Sequence, residues 1–187
     1  MVPAISGLAV PYFYTRGKFS WYHETALAAG VVLSLILGML AIDPHAAWWK
    51  GILVALPAAI VLCYMGLALD EYPDAAANLK KGVKSLAYRV WDLNFDLCLY
   101  LVAWMLLLCI FQVFLIATGF LKPLTAISLI LFPFVMARMV FFSPWAKNLR
   151  LSPENKVYLE GFTKEAKFLV LIAMLYPILV LIGQAAG

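Results

Sequence analysis

Leu97–Thr118 reads LCLYLVAWMLLLCIFQVFLIAT, with no charged side chain and a single amide, Gln112. At a rise of about 1.5 Å per residue, a helix of this length crosses the roughly 30 Å of bilayer hydrocarbon. In lipid only a helix satisfies its own backbone groups, and no strand-length alternation in the chain points to a barrel. Four further runs are long and apolar enough to do the same: Thr25–Ile42, Gly51–Leu69, Leu124–Phe142 and Phe168–Gly183. Composition agrees. Apolar residues make up 65% of the 187 and charged ones 13%, against about half and a quarter in soluble domains. So short a chain cannot hide that much apolar surface from water. The expected fold is all-α: a polytopic membrane helix bundle of five transmembrane helices plus a cytoplasmic-side amphipathic helix, in one membrane domain.

Lysine and arginine set the expected orientation. Arg16 and Lys18 precede the first span, and Lys80, Lys81, Lys84 and Arg89 follow the second. Lys147, Arg150, Lys156, Lys164 and Lys167 lie between the fourth and fifth. The other two loops hold only Lys50 and Lys122. The positive-inside rule then predicts the N-terminus in the cytoplasm and the C-terminus outside, in a bacterial inner membrane. Residues 1–24 lack the basic start and unbroken apolar core of a signal peptide and read as an interfacial segment. Trp21, Tyr22, Trp48 and Trp49 flank the first span at headgroup level.

The connections carry further signals. Gly119–Pro123 is a tight turn that makes a hairpin of spans three and four. Between spans two and three, Leu79, Val83, Leu86, Val90 and Leu93 repeat at helical spacing and predict an amphipathic helix over 74–93. Two readings of it stay open: a helix lying on anionic lipid, or an extension of span three that docks on a partner. Ser152-Pro153-Glu154 reads as an N-cap and first turn, which would begin the last helix outside the membrane. Pro144 is expected to end span four, while Pro57, Pro133 and Pro177 permit kinks within spans.

Small residues recur every four positions on the first two spans: Ala26, Gly30, Ser34 and Gly38, then Gly51, Ala55, Ala59 and Cys63. Such stripes allow close backbone approach and mark helix-packing faces. They fit either each other or a helix from another subunit. Tyr100, Trp104, Leu107, Phe111 and Phe114 give span three a bulky face for lipid or a partner.

Polar groups near or inside the spans are the remaining candidates. Arg138 is the one charge well inside a run, and an intramembrane charge is a functional candidate by default. A structural role is favoured, with Asp70, Glu71, Asp96 or the Trp104 face as partner. Asp70 and Glu71 oppose the dipole at a helix end and call for nearby bases. Asp92 and Asp96, four apart, would share one helical face, as an ordinary surface cluster or as paired carboxylates that bind a cation or share a proton. Gln112 would make a helix–helix hydrogen bond.

Several chemistries are set aside. His23 and His45 stand at opposite ends of span one and cannot jointly ligate a haem or metal. Cys63, Cys98 and Cys109 form no CxxC pair. No GxSxG and no phosphate loop occurs. No catalytic, cofactor or metal residue is assigned, and no nucleic-acid contact is expected. Two function classes survive: a non-catalytic integral subunit or scaffold of a larger membrane assembly, and a small homo-oligomeric channel or carrier. The partners expected are the bilayer and other membrane subunits, or copies of this chain.

Overall fold

A computed structural model describes residues 23–45 and 47–186, with only the backbone of Val54. The expected interfacial segment therefore lies, up to residue 22, outside the described residues. Among the described residues there is no strand, and five helices are long and apolar enough to cross a membrane. The protein is an all-α, multi-pass membrane protein. The chain divides into two compact units, Met1–Leu93 and Asn94–Gly187.

In the first unit, α1 spans His23–Ile42, and a turn closed by His45 N–H on Asp43 Oδ1 (3.0 Å) leads to α2, Trp48–Ala59. Pro57 has no N–H to give to the preceding turn. Just beyond it the helix widens into a π-helical stretch, Ile60–Gly66, before returning to α-helix in α3, Leu67–Glu71. Each π turn holds an extra residue and so rotates the faces that follow.

The small stripe of the second span packs on α1. A Cβ on Gly51 would lie 3.0 Å from Ile36 Cγ1 and 3.1 Å from Met39 Cε. Ala55, Ala59 and Cys63 are buried, the last two in a core with Ala28 ringed by Leu27, Val31, Val32 and Tyr64. Branched side chains of α1 thus fill the groove that small residues open. On α1 itself Gly30 is buried and Ala26 half-buried, while Ser34 and Gly38 are exposed. Nothing lies within 4 Å of a Cβ built on Gly38.

A continuous helix over 74–93 does not form. After the 3₁₀ turn Tyr72–Asp74, α4 covers Ala75–Lys80 and α5 covers Leu86–Asp92. The break has two causes. Gly82 takes φ +76°, the left-handed conformation that glycine adopts without steric cost. Ser85 then caps α5, its Oγ accepting Tyr88 N–H at 3.2 Å. Asn78 Nδ2 donates to Tyr88 Oη (2.8 Å) and ties the two short helices together. Burial of Tyr88 pushes its phenol above the ordinary value.

In the second unit, Asp96 Oδ1 accepts Cys98 N–H (2.7 Å) and caps α6, Leu97–Ala117. Asn94, at φ 57°, breaks the chain before that cap. Asp92 and Asp96 therefore belong to different helices and do not share one helical face. α6 ends at Gly119, φ +72°, with Phe120 N–H on Leu115 O and Gly119 N–H on Ile116 O, the Schellman arrangement. A 3₁₀ segment, Pro123–Ile130, runs into α7, Leu131–Leu151.

Two boundaries differ from expectation. Pro144 lies inside α7 and does not end it, so the helix continues to Leu151. Ser152 is not the cap of the last helix. It opens a turn closed by Asn155 N–H on Ser152 O, with Pro153 in the position that favours its fixed φ. Asn155 Oδ1 then accepts Val157 N–H (3.0 Å), and α8 runs unbroken over Lys156–Ala186. Gly161 in α8 admits the Trp145 ring, since a Cβ there would sit 2.3 Å from Trp145 Cε3. Gly183 similarly meets backbone, 2.6 Å from Thr125 Cα.

Candidate functional site

Each unit brings ionisable side chains together where its helices meet. In the second unit, Arg138 on α7 meets Glu165 on α8. Nη2 donates to Oε1 at 2.9 Å, and Nε stands 2.7 Å from Oε2. The guanidinium also lies against Phe168 (4.7 Å to the centroid) and Phe141 (5.5 Å), which adds a cation–π component. The partner is thus Glu165, in place of the anticipated Asp70, Glu71, Asp96 or Trp104. The expected start of the last span at Phe168 had left Glu165 outside the membrane. An open cleft of about 520 Å³ lies beside Arg138, walled by Phe134, Phe141, Ile172 and Leu175 among others.

A second polar contact holds the same unit. Gln112, fully buried on α6, donates through Nε2 to Ser128 Oγ (2.6 Å) and to Thr125 O (2.9 Å). The 3₁₀ geometry makes this possible by placing Thr125 and Ser128, three apart, on one side. Lys122 N–H donates to Gln184 Oε1 (3.0 Å), so α8 is stitched to the start of the same segment. Asp96 pairs with Lys147 at 3.5 Å in an exposed contact.

The first unit holds a different cluster, which the sequence alone did not bring together. His23 and Glu24 open α1, and Glu71 closes α3. His23 Nε2 lies 3.6 Å from Glu71 Oε1, and His23 Nδ1 lies 4.0 Å from Glu24 Oε2. His23 and Glu24 are 1% and 2% exposed, and Glu71 15%. Glu24 Oε1 accepts the N–H of Leu86, at the start of α5. Its other oxygen, Oε2, is buried with no hydrogen-bond partner. One ligand atom from each of the three residues falls within 4.8 Å of the other two.

Of the acidic pair at the end of the second span, only Glu71 enters this cluster; Asp70 is exposed. Asp92 is likewise exposed. His45 sits in the exposed turn beyond the far end of α1, so the two histidines do remain apart. A signal for His23 with Glu24 was present: a histidine and a carboxylate at the first turn of a span, facing an acidic pair at the end of the next antiparallel one. No protein-family model, curated protein or solved structure matches this chain.

Proposed function

We propose that this protein is a non-catalytic integral subunit or scaffold of a larger membrane assembly. It would sit in a bacterial inner membrane with its N-terminus in the cytoplasm. One observation supports the reading above others: in the second unit Gln112, Arg138 and Glu165 all make contacts between segments. Gln112 is spent on Thr125 and Ser128, and Arg138 on Glu165. An ion or solute path requires polar groups that face a lumen, whereas these hold helices together. The outward faces of α6 and α8 carry large apolar side chains such as Ile110, Phe114, Leu171 and Leu181. Lipid or neighbouring spans are the surfaces they suit.

The orientation rests on the basic residues, most of which fall before the first span and on the 70–96 and 144–167 segments. Short helices α4 and α5 would then lie at the cytoplasmic interface, on lipid or against a soluble partner. Mild-detergent extraction from the native membrane tests the assembly directly. Other polypeptides should co-purify in fixed ratio, and recovery as an isolated monomer would sink the reading. The alternative, a small homo-oligomeric channel or carrier for an ion or small solute, would draw on the buried polar His23–Glu24–Glu71 cluster. Reconstituted vesicles that pass no cation under an imposed gradient would end that alternative.

A further inference from the structure

We propose that the cleft between α7 and α8 binds one anionic phospholipid, with its phosphate on Arg138 and Lys164 and an acyl chain along the apolar walls. Glu165 takes one edge of the Arg138 guanidinium, with Nη2 2.9 Å from Oε1 and Nε 2.7 Å from Oε2. The other edge, formed by Nη1 and the second N–H of Nη2, makes no hydrogen bond with a described residue. A guanidinium carries its five N–H groups in a rigid fork, and a free edge of two matches two phosphate oxygens. Nε, on the Glu165 edge, is buried, while the side chain as a whole is one-third exposed and lines the cleft. Lys164, one turn before Phe168 on α8, lies in the row that continues along the cleft through Phe168 and Leu175. It is exposed, as is Lys167, so that Arg138, Lys164 and Lys167 stand against one acid, Glu165. Even with Glu160 a turn further out, this end of the cleft is positive.

Beyond the guanidinium the walls are apolar: Leu131 and Phe134 on α7, Ile172 and Leu175 on α8. From Phe141 to Leu131 the cleft follows α7 for about ten residues, roughly 15 Å. That is half of the roughly 30 Å of bilayer hydrocarbon, the depth of one leaflet. The two helices run antiparallel from the turn at Ser152–Asn155, so the positive end of the cleft lies toward that turn. Trp145, which rests on Gly161 still nearer the turn, suits headgroup depth. A cationic end and an apolar length of one leaflet complement a phospholipid with a net negative charge. Any outward groove in a bilayer meets lipid; the cations are what would select one headgroup over another. The site goes beyond the assembly reading and stands whether the protein is a subunit or a carrier.

The test uses the full-length protein, delipidated in a neutral detergent and offered phosphatidylglycerol alone and phosphatidylcholine alone. Native mass spectrometry counts the lipids retained per chain. One phosphatidylglycerol should be held at least about tenfold more tightly than phosphatidylcholine. Lys164→Gln should weaken it about fivefold, as one cation beside a lipid headgroup does. Arg138→Lys keeps a cation beside Glu165 without the second edge and should weaken it about tenfold. Ala137→Trp fills the cleft, leaves all these charges in place, and should weaken it about tenfold or more by displacing the chain. Lys81→Gln, the same charge change on an exposed residue of the first unit, should bind as the parent does. Circular dichroism and elution volume identify any variant that fails to fold, and the parent's preference decides without one. Equal retention of the two lipids, as in a groove that a neighbouring span covers, overturns the proposal. So does parental affinity in any of the three cleft variants, or a loss in Lys81→Gln as large as in Lys164→Gln.

Discussion

The two buried ionic clusters differ in their balance. Arg138 and Glu165 carry opposite unit charges and meet through two close contacts, flanked by two aromatic faces. His23, Glu24 and Glu71 place one imidazole between two carboxylates, at 3.6 and 4.0 Å, and Glu24 also accepts the N–H of Leu86. The first arrangement joins two spans through a guanidinium that is one-third exposed. The second joins the start of α1 to the end of α3 and, through Glu24, to α5, and its histidine and first glutamate are almost wholly buried. The largest effect should come from breaking the balanced pair. Removing one partner of a buried ion pair costs about 3–5 kcal/mol. Arg138 is one-third exposed, which reduces the expectation to about 2–3 kcal/mol for Glu165→Ala. Unfolding of the purified protein in mixed micelles measures it, and Arg138→Leu with Glu165→Leu together should restore most of the loss. A double variant no better than the single one would show that the pair is not the unit.

Overpacking comes next. A methyl at Gly183 would lie 2.6 Å from Thr125 Cα and 2.7 Å from Leu124 O, both backbone. Because neither atom can swing aside, Gly183→Val should cost about 1–3 kcal/mol. It should also loosen the Gln184 contact to Lys122, which faster amide exchange at Lys122 would report.

How far these contacts could be read in the sequence depends on the kind of signal. Span existence was legible because uninterrupted apolar length is a property of one segment. Pairing across segments was less so. Arg138 with Glu165 and Phe142 with Phe162 both fall in register about the turn at Ser152–Asn155. That register becomes readable only once Asn155, not Ser152, is known to start α8. The proline at 144 misled for a related reason: in lipid a helix tolerates proline because neighbouring groups satisfy what it frees. The break in 74–93 was marked by Gly82 and Ser85, but the apolar repeat ran across both and concealed them. Glu24 is a different case. Its role depends on Leu86 N–H, 62 residues away, and no local pattern signals a long-range contact to a backbone amide.

The smallest effect should fall on Gln112. Leucine there fills the same space but gives up the contacts to Ser128 Oγ and Thr125 O. Hydrogen bonds between membrane helices average about 0.6 kcal/mol and reach about 1.7, because the separated helices also find partners. Gln112 makes two such contacts, yet its own Oε1 is buried without a partner, and replacing it removes that cost. The two terms oppose, so Gln112→Leu should lose no more than about 1 kcal/mol. Gln112→Ala, which forfeits packing as well, should lose more by the cavity it leaves. If leucine costs as much as alanine, Gln112 is held for its polarity, and a polar path through the second unit, which the assembly reading sets aside, would have to be considered again.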